Sequence, residues 1–269
     1  MNDKNINTSL RLDGKWALVC GASRGIGAAA ARAMAELGAD VTLVSRSEET
    51  LKKTFQQLKA VGTQRHGYFT ADFDDPAALK TAVDKWLKQN PRVHILVNNT
   101  GGPPTGPAHL AKPEEYLAAF NRHLICNQIL VQALLPNMKQ AGYGRIINVI
   151  STSVKEPIKG LGVSNTVRGA VASWAKTLAG ELGIHGITVN NVLPGYTRTD
   201  RLVSLFEGRA QKENRSVADI EAEARAIIPL GRIAEPEEIA AAIAFLASPA
   251  ASYITGVSLP VDGGRIQGL

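Results

Sequence analysis

The feature that most constrains this chain is an alternation. Short apolar runs, "KWALVC", "DVTLVS", "RVHILVN", "GRIINVIS" and "ITVNNVLP", recur along the sequence and are separated by longer amphipathic stretches of helical pattern. A strand that is apolar throughout must be covered on both faces, and helices crossing between parallel strands supply that cover. The expected fold is α/β, doubly wound, with a seven-stranded, mainly parallel sheet and helices on both faces. With 269 residues, 45% hydrophobic and 20% charged, the chain suffices for one sizeable core. The expected division is a polar N-terminal tail over 1–11 and a single domain over 12–269. Thr199 to Arg232 breaks the rhythm. This charged, helical stretch after the sixth strand reads either as a solvated surface helix pair or as a lid over a pocket.

Several function classes are excluded early. The opening "MNDKNINTSL" is polar, carries an acid and lacks the apolar centre of a secretory signal. No apolar run approaches the roughly 18 residues a spanning helix needs. A soluble, cytoplasmic protein with no membrane partner is expected. Cys20 and Cys126 show neither metal-ligand nor redox spacing and read as buried thiols, so no metal site is expected. The net charge of +6 comes from Lys and Arg scattered among acids, with no basic run. Nucleic acid is therefore not an expected partner, and a phosphate-bearing small molecule fits better.

The first chemical motif follows the first strand: "CGASRGIGAAAARAMAELGA". Gly21, Gly25 and Gly27 are spaced so that the backbone turns tightly and approaches a pyrophosphate, while the helix that follows points its N-terminus at the phosphates. The setting, a strand before and an alanine-rich helix after, is what a Rossmann-type dinucleotide loop requires. The loop's candidate cofactor contacts are Gly21, Ser23, Arg24, Gly25, Ile26 and Gly27.

Cofactor choice rests on the end of the second strand. A carboxylate there would bind the ribose 2′-hydroxyl of NAD and repel a 2′-phosphate. Ser45 and Arg46 stand there instead, and Arg24 can reach the same phosphate from the glycine loop, so NADP(H) is expected rather than NAD.

These motifs continue in order. "GASRGIG", Asp72 in "TADFDD", "NNTGG" from Asn98 to Gly102, "GRIINVIS", "LPGYTRT" from Leu193 to Thr199 and "YITGVSLPVDGG" from Tyr253 to Gly264 have the order and spacing of the short-chain dehydrogenase/reductase family. The chain resembles that family from about Leu12 to Gly264, and its overall look is closest to members labelled 3-oxoacyl-carrier-protein reductase-like. The resemblance implies cofactor roles for Asp72 and Phe73 at the adenine, and for Asn98 and Gly101 on the adenosine side. Pro194, Gly195, Thr197 and Thr199 would hold the nicotinamide amide and pyrophosphate. Thr100 replaces the family's usual alanine. Asn98 also reads as a polar residue closing a strand end.

The family's chemistry is hydride transfer between nicotinamide and a carbonyl or alcohol carbon, assisted by a serine, a tyrosine, a lysine four residues later and an asparagine. A phenol is useful at neutral pH only where a nearby cation stabilises the phenolate. In this chain Ser151 falls on the serine. Ser164 stands thirteen residues on, where the tyrosine belongs, and Arg168 stands four further, where the lysine belongs. His123 occupies the asparagine position. Arg168 keeps a positive charge and can clamp the nicotinamide ribose, but it cannot shuttle a proton as a lysine can. Ser164 and Arg168 also read as plain helix residues. Other candidate acids are Tyr196, Lys155 and Lys159, and His123, since a histidine titrates in a useful range.

The resemblance implies an NADP(H)-dependent oxidoreductase acting on a small keto or hydroxy compound at a non-standard site. A nucleotide-binding regulatory protein without catalysis, and a lyase, dehydratase or isomerase on the same fold, remain open. An acyl-carrier-protein partner is doubtful, because Gly142 and His185 stand where basic docking residues belong. By analogy, the helices around Glu114 to Gln140 and Gly160 to Gly183 would form a homotetramer interface.

Overall fold

The computed structural model describes residues 9–268; residues 1–8 of the expected polar tail lie outside the described part. Strand β1 (Trp16–Cys20) leads through the glycine loop into α1 (Gly25–Glu36) and back to β2 (Asp40–Ser45). Helix α2 (Glu48–Gln56), β3 (Gly67–Thr70), α3 (Pro76–Leu87) and β4 (Ile95–Asn98) complete the first half. In the second half α4 (Pro113–Phe120) runs through a π-helical turn (Asn121–Ile125) into α5 (Cys126–Ala141). Then come β5 (Gly144–Val149), α6 (Gly162–Leu182), β6 (Ile187–Pro194), α7 (Asp200–Glu213), α8 (Val217–Ala226), α9 (Pro236–Ala247) and β7 (Ser258–Val261).

The seven strands form one sheet in the order β3-β2-β1-β4-β5-β6-β7, and every pairing is parallel. The order reverses between β1 and β4, which opens a crevice beyond their C-terminal ends where such sheets take ligands. On one face, α1 and α9 pack closely: Ala30, Ala31 and Met34 share a core with Ile239, Ile243 and Ala247. Alanine at the contact lets the helix backbone approach the sheet. On the other face Leu79, Val83, Leu130, Leu134 and Ala175 join α3, α5 and α6 over Leu18 and Leu96.

Local chemistry starts the helices where the sequence signals it. The Ser47 hydroxyl accepts from Thr50 N ahead of α2, and Asp75 accepts from Ala78 N ahead of α3, with Pro76 following. Strand β3 escapes the search for apolar runs because it has four residues and none of them is buried. Its pairing with β2 from Thr42↔Gly67 onward specifies it instead.

The stretch after β6 is a helix pair, α7 and α8. Leu202, Phe206 and Ala210 of α7 meet Ile220 and Ala224 of α8 and Ile233 in a small core of their own. The opposite faces carry an exposed network in which Arg209 and Arg215 each pair with Glu213 and Glu223. The segment is solvated outside and apolar inside, and it stands at the C-terminal edge of the sheet.

Candidate active site

The glycine loop is shaped by contact rather than by flexibility alone. A Cβ on Gly21 would lie 2.5 Å from the Asn99 carbonyl oxygen, and one on Gly27 would lie 2.3 Å from the Gly21 oxygen. Gly21 and Gly25 also take left-handed φ values of 58° and 56°. Asn99 holds this arrangement, its Nδ2 donating at 3.3 Å to the carbonyls of Cys20 and Gly21. It is the second residue of "NNTGG", and no local pattern signals its role, because its partners lie almost eighty residues away. The α1 N-terminus has no side-chain cap and no acid in its first turn. Its amides and partial positive charge therefore suit an anion such as a pyrophosphate.

The two loop arginines stand apart from the convergence expected of them. Arg24 Nη1 donates to Asp200 at 2.8 Å, with both side chains at least 70% exposed. Arg46 comes within 3.9 Å of Asp74, which is already bonded by Arg122 Nε at 2.6 Å. Ser45 ends β2 buried, its hydroxyl without a partner among the described residues. Asp72 is half-buried and accepts from Asp74 N. The Phe73 ring is packed in the core, which leaves its backbone as the part able to meet a ligand.

Across the crevice edge the strands are sewn by amides. Asn98 Nδ2 donates to Asn148, Asn148 to Asn191, each at 2.9 Å, and Asn191 to the Ser258 hydroxyl at 3.1 Å. These residues are in register across β4, β5, β6 and β7. Asn98 therefore does close a strand end, while its Oδ1 stays buried and unpartnered among the described residues.

Of the four catalytic-position residues, Arg168 reaches the end of β5 and His123 reaches Thr100 beyond β4. Ser151, just beyond β5, accepts from Ser153 N at 3.0 Å and so caps a short 3₁₀ turn. Ser164 lies in the first turn of α6, partly buried, with no side-chain hydrogen bond among the described residues. One turn on, Arg168 is buried; its Nη1 donates to Val149 O at 2.8 Å and its Nε has no partner among the described residues. No carboxylate pairs with it among the described residues. Burial, then the charge of Arg201, lowers its pKa to about 10.

His123 lies in the π-helical turn, 2% exposed, with Nδ1 2.7 Å from the Thr100 hydroxyl and Nε2 unpartnered among the described residues. Burial, then the charges of Arg168 and Arg122, pushes its pKa down to about 2. The expectation that His123 titrates in a useful range is thus corrected: a desolvated imidazole beside two guanidiniums stays neutral. Thr100 and His123, the two departures from the family pattern on this side, are one contact.

The remaining candidates are dispersed. Tyr196 packs its ring against the α7–α8 core, 5.9 Å from Phe206, with the Arg265 guanidinium 5.7 Å from its centroid. Lys155 and Lys159 are exposed. Thr197 is buried and donates to Gly195 O, and a Cβ on Gly195 would strike Asp262 at 2.7 Å. Thr199 caps α7 through Leu202 N and comes against Gly25, which ties the segment to the glycine loop. Gly101 has open space around its Cα, and Pro194 ends β6 half-buried. Two arginines outside the sequence candidates also reach the region. Arg201 Nη2 donates to Pro103 O at 2.7 Å, and Arg265 Nη2 to the Thr152 hydroxyl at 2.9 Å. Both lie in segments of surface composition, so no local signal marked them.

Cys20 and Cys126 are buried, with burial raising both thiol pKa values, as structural thiols require. Among the described residues no His, Cys, Asp and Glu group could hold a metal, and no helix is long and apolar enough to cross a membrane.

A family described as "Enoyl-(Acyl carrier protein) reductase" matches residues 21–265. The 3-oxoacyl-[acyl-carrier-protein] reductase FabG of Vibrio cholerae is 37% identical over 257 residues, covering 95% of this chain and 98% of FabG. The short-chain reductase protein NovJ of Streptomyces niveus is 35% identical and covers 93% of each chain. Among solved structures, L-sorbose reductase from Gluconobacter frateurii, complexed with NADPH and L-sorbose, superposes with a TM-score of 0.90 at 27% identity. That match covers 97% of this chain and 100% of the other.

Proposed function

The chain belongs to the short-chain dehydrogenase/reductase family, and from that premise we propose an NADP(H)-dependent oxidoreductase that interconverts a small keto compound and its alcohol at a rebuilt site. The observation that carries the reading is the cradle at α1. It has no room for a Cβ at Gly21 or Gly27, and its helix has neither a side-chain cap nor an acid in its first turn. Residues of this kind fit a dinucleotide. Gly21, Ser23, Gly25, Ile26 and Gly27 would hold the pyrophosphate; Asp72, Phe73, Asn98 and Gly101 the adenosine; Pro194, Gly195, Thr197, Thr199 and Arg168 the nicotinamide end.

NADP(H) rather than NAD is supported by the absence of an acid at Ser45 and Arg46. The ion pairs that hold Arg24 and Arg46 are exposed, and such pairs are weak enough to exchange for a 2′-phosphate. The NADPH named for the sorbose reductase structure agrees. When bound, this cofactor supplies the hydride.

The chain's own residues then orient and stabilise. Ser151 donates to the substrate oxygen, Arg168 holds positive charge beside it, and neutral His123 fixes the floor through Thr100. Positioning of the carbonyl and stabilisation of the developing oxyanion carry most of the assistance, so the missing phenol need not abolish turnover. The proton comes from a water in the space that a tyrosine ring would fill at Ser164. Helices α7 and α8 act as the lid, and α4 to α6 as the homotetramer interface. With Gly142 and His185 at the docking positions, a free small molecule is the substrate rather than a carrier-bound one.

Nucleotide binding without turnover is the second reading. One observation favours it: neither Ser164 nor His123 offers a group that ionises near neutral pH. Purified protein with NADPH and a panel of ketones decides, followed by loss of NADPH absorbance. Oxidation that disappears with Ser151→Ala supports the oxidoreductase; tight NADPH binding with no oxidation across the panel overturns it.

A further inference from the structure

One ion pair joins the glycine loop to the segment proposed as the lid. Arg24 stands at the N-cap of α1 and Asp200 is the first residue of α7, 176 positions later; Arg24 Nη1 donates to the Asp200 carboxylate at 2.8 Å. The backbones meet beside it, where a Cβ on Gly25 would lie 3.2 Å from Thr199 Cγ2. The next residue of α7, Arg201, is tied separately to the Pro103 carbonyl. A carboxylate in the first turn of α7 also faces the positive end of that helix, which favours its charge.

The other arginine read as a 2′-phosphate contact is held differently. Arg46 stands 3.9 Å from Asp74, and Asp74 already accepts from Arg122 Nε at 2.6 Å. The charge of Asp74 is met without Arg46. Asp200 has no second cation paired with it among the described residues, so Arg24 is the arginine with an acid of its own.

A monoester phosphate carries roughly −1.5 to −2 charge near neutral pH and offers three strong acceptor oxygens. That phosphate and the Asp200 carboxylate call on the same guanidinium, and as like charges they repel one another. A dinucleotide with a 2′-hydroxyl brings no such charge and leaves the pair as it is.

Resting on the reading of Arg24 as a 2′-phosphate contact, we propose that Asp200 is a cofactor-selectivity residue. Its carboxylate competes with the 2′-phosphate of NADP(H) for Arg24, and the pair ties α7 to the glycine loop until the phosphorylated cofactor takes the guanidinium. By linkage, the factor by which the pair weakens phosphate binding is the factor by which the phosphate weakens the tie. Thr199 against Gly25 and Arg201 on Pro103 still anchor that end of the helix.

The test is a fluorescence titration with NADPH and with NADH, at one fixed ionic strength, of the wild type, Asp200→Asn, Arg24→Gln and the double variant. Asp200→Asn is expected to bind NADPH roughly two- to fivefold tighter, the worth of an exposed ion pair, and to bind NADH as the wild type does. In the Arg24→Gln background the gain should shrink, because the contested guanidinium is gone. NADPH affinity unchanged or weakened by Asp200→Asn, both nucleotides tightened alike, or a gain undiminished without Arg24 each overturn the inference. The underlying reading is scored by the wild type and Arg24→Gln. A wild type that binds both nucleotides equally removes that reading and the inference with it. A wild-type preference for NADPH that falls with Arg24→Gln and ignores Asp200→Asn keeps the reading and sinks the inference alone.

Discussion

The Nδ1 of His123 lies 2.7 Å from the Thr100 hydroxyl, across the gap between the end of β4 and the π-helical turn before α5. Thr100→Ala strips the buried ring of its one partner and should cost about 1–3 kcal/mol of unfolding free energy. Adding His123→Asn should recover part of that loss, since the two positions form one contact. Urea unfolding of both single variants and the double variant measures the coupling; strictly additive losses would show that the pair is incidental.

The same histidine gives the stability a pH limb. Its folded-state pKa of about 2 lies well below the value of about 6.5 for an unperturbed imidazole. The folded protein thus binds fewer protons, and the stabilisation is full above about pH 6.5 and is lost as pH falls through it. Between about pH 7 and pH 5 His123 should contribute a loss of about 2 kcal/mol. His123→Asn should make that limb shallower without abolishing it, because His94, pushed down to about 4 by burial, loses stability over the same range; an unchanged slope would mean that His123 does not contribute.

Arg168→Met separates cofactor binding from stability. Without ligand, replacing an unpaired buried cation by an apolar chain of similar length should leave the protein equally stable or about 1 kcal/mol more so. NADPH affinity should drop by roughly tenfold or more as the charged donor is removed. Thermal unfolding with and without NADPH reads both; a large stability loss without ligand would show that Arg168 is a structural strut.

Ser151 and Ser164 should behave oppositely. Ser151→Ala should lower kcat by roughly a hundredfold, as loss of an oxyanion donor does, and cost about 1 kcal/mol through the lost 3₁₀ cap. Ser164→Ala should leave kcat within a fewfold, because its hydroxyl has no partner and the proton comes from water. Steady-state rates on the best substrate decide, and a collapse with Ser164→Ala would make that serine the donor.

Gly27→Ala places a methyl 2.3 Å from the Gly21 carbonyl. The loop must shift, at about 1–3 kcal/mol, and NADPH affinity should fall with it. Fluorescence titration that shows wild-type affinity would place the dinucleotide elsewhere.

Much of the molecule was legible in order and spacing. The apolar runs marked β1, β2, β4, β5 and β6, and the glycines marked the loop, because both signals are local: a strand's burial and a turn's φ are written in adjacent residues. Strand β3 was not, because its four residues carry no buried face and only pairing with β2 defines it. The candidate positions Ser151, Ser164, Arg168 and His123 came from the spacing of the family's motifs, a signal that says nothing of their partners.

What those positions do was decided by packing. The sequence determined a doubly wound fold with a dinucleotide loop, since periodicity and steric demands within a few residues suffice for that. Only the tertiary structure decided that His123 is a buried partner of Thr100, that Asn99 buttresses the glycine loop, and that Arg201 reaches Pro103 and Arg265 reaches Thr152 from distant segments. Charge state and hydrogen-bond partners depend on what desolvates a group and which chains surround it. Residues as far apart as Arg24 and Asp200 meet only when the sheet is assembled.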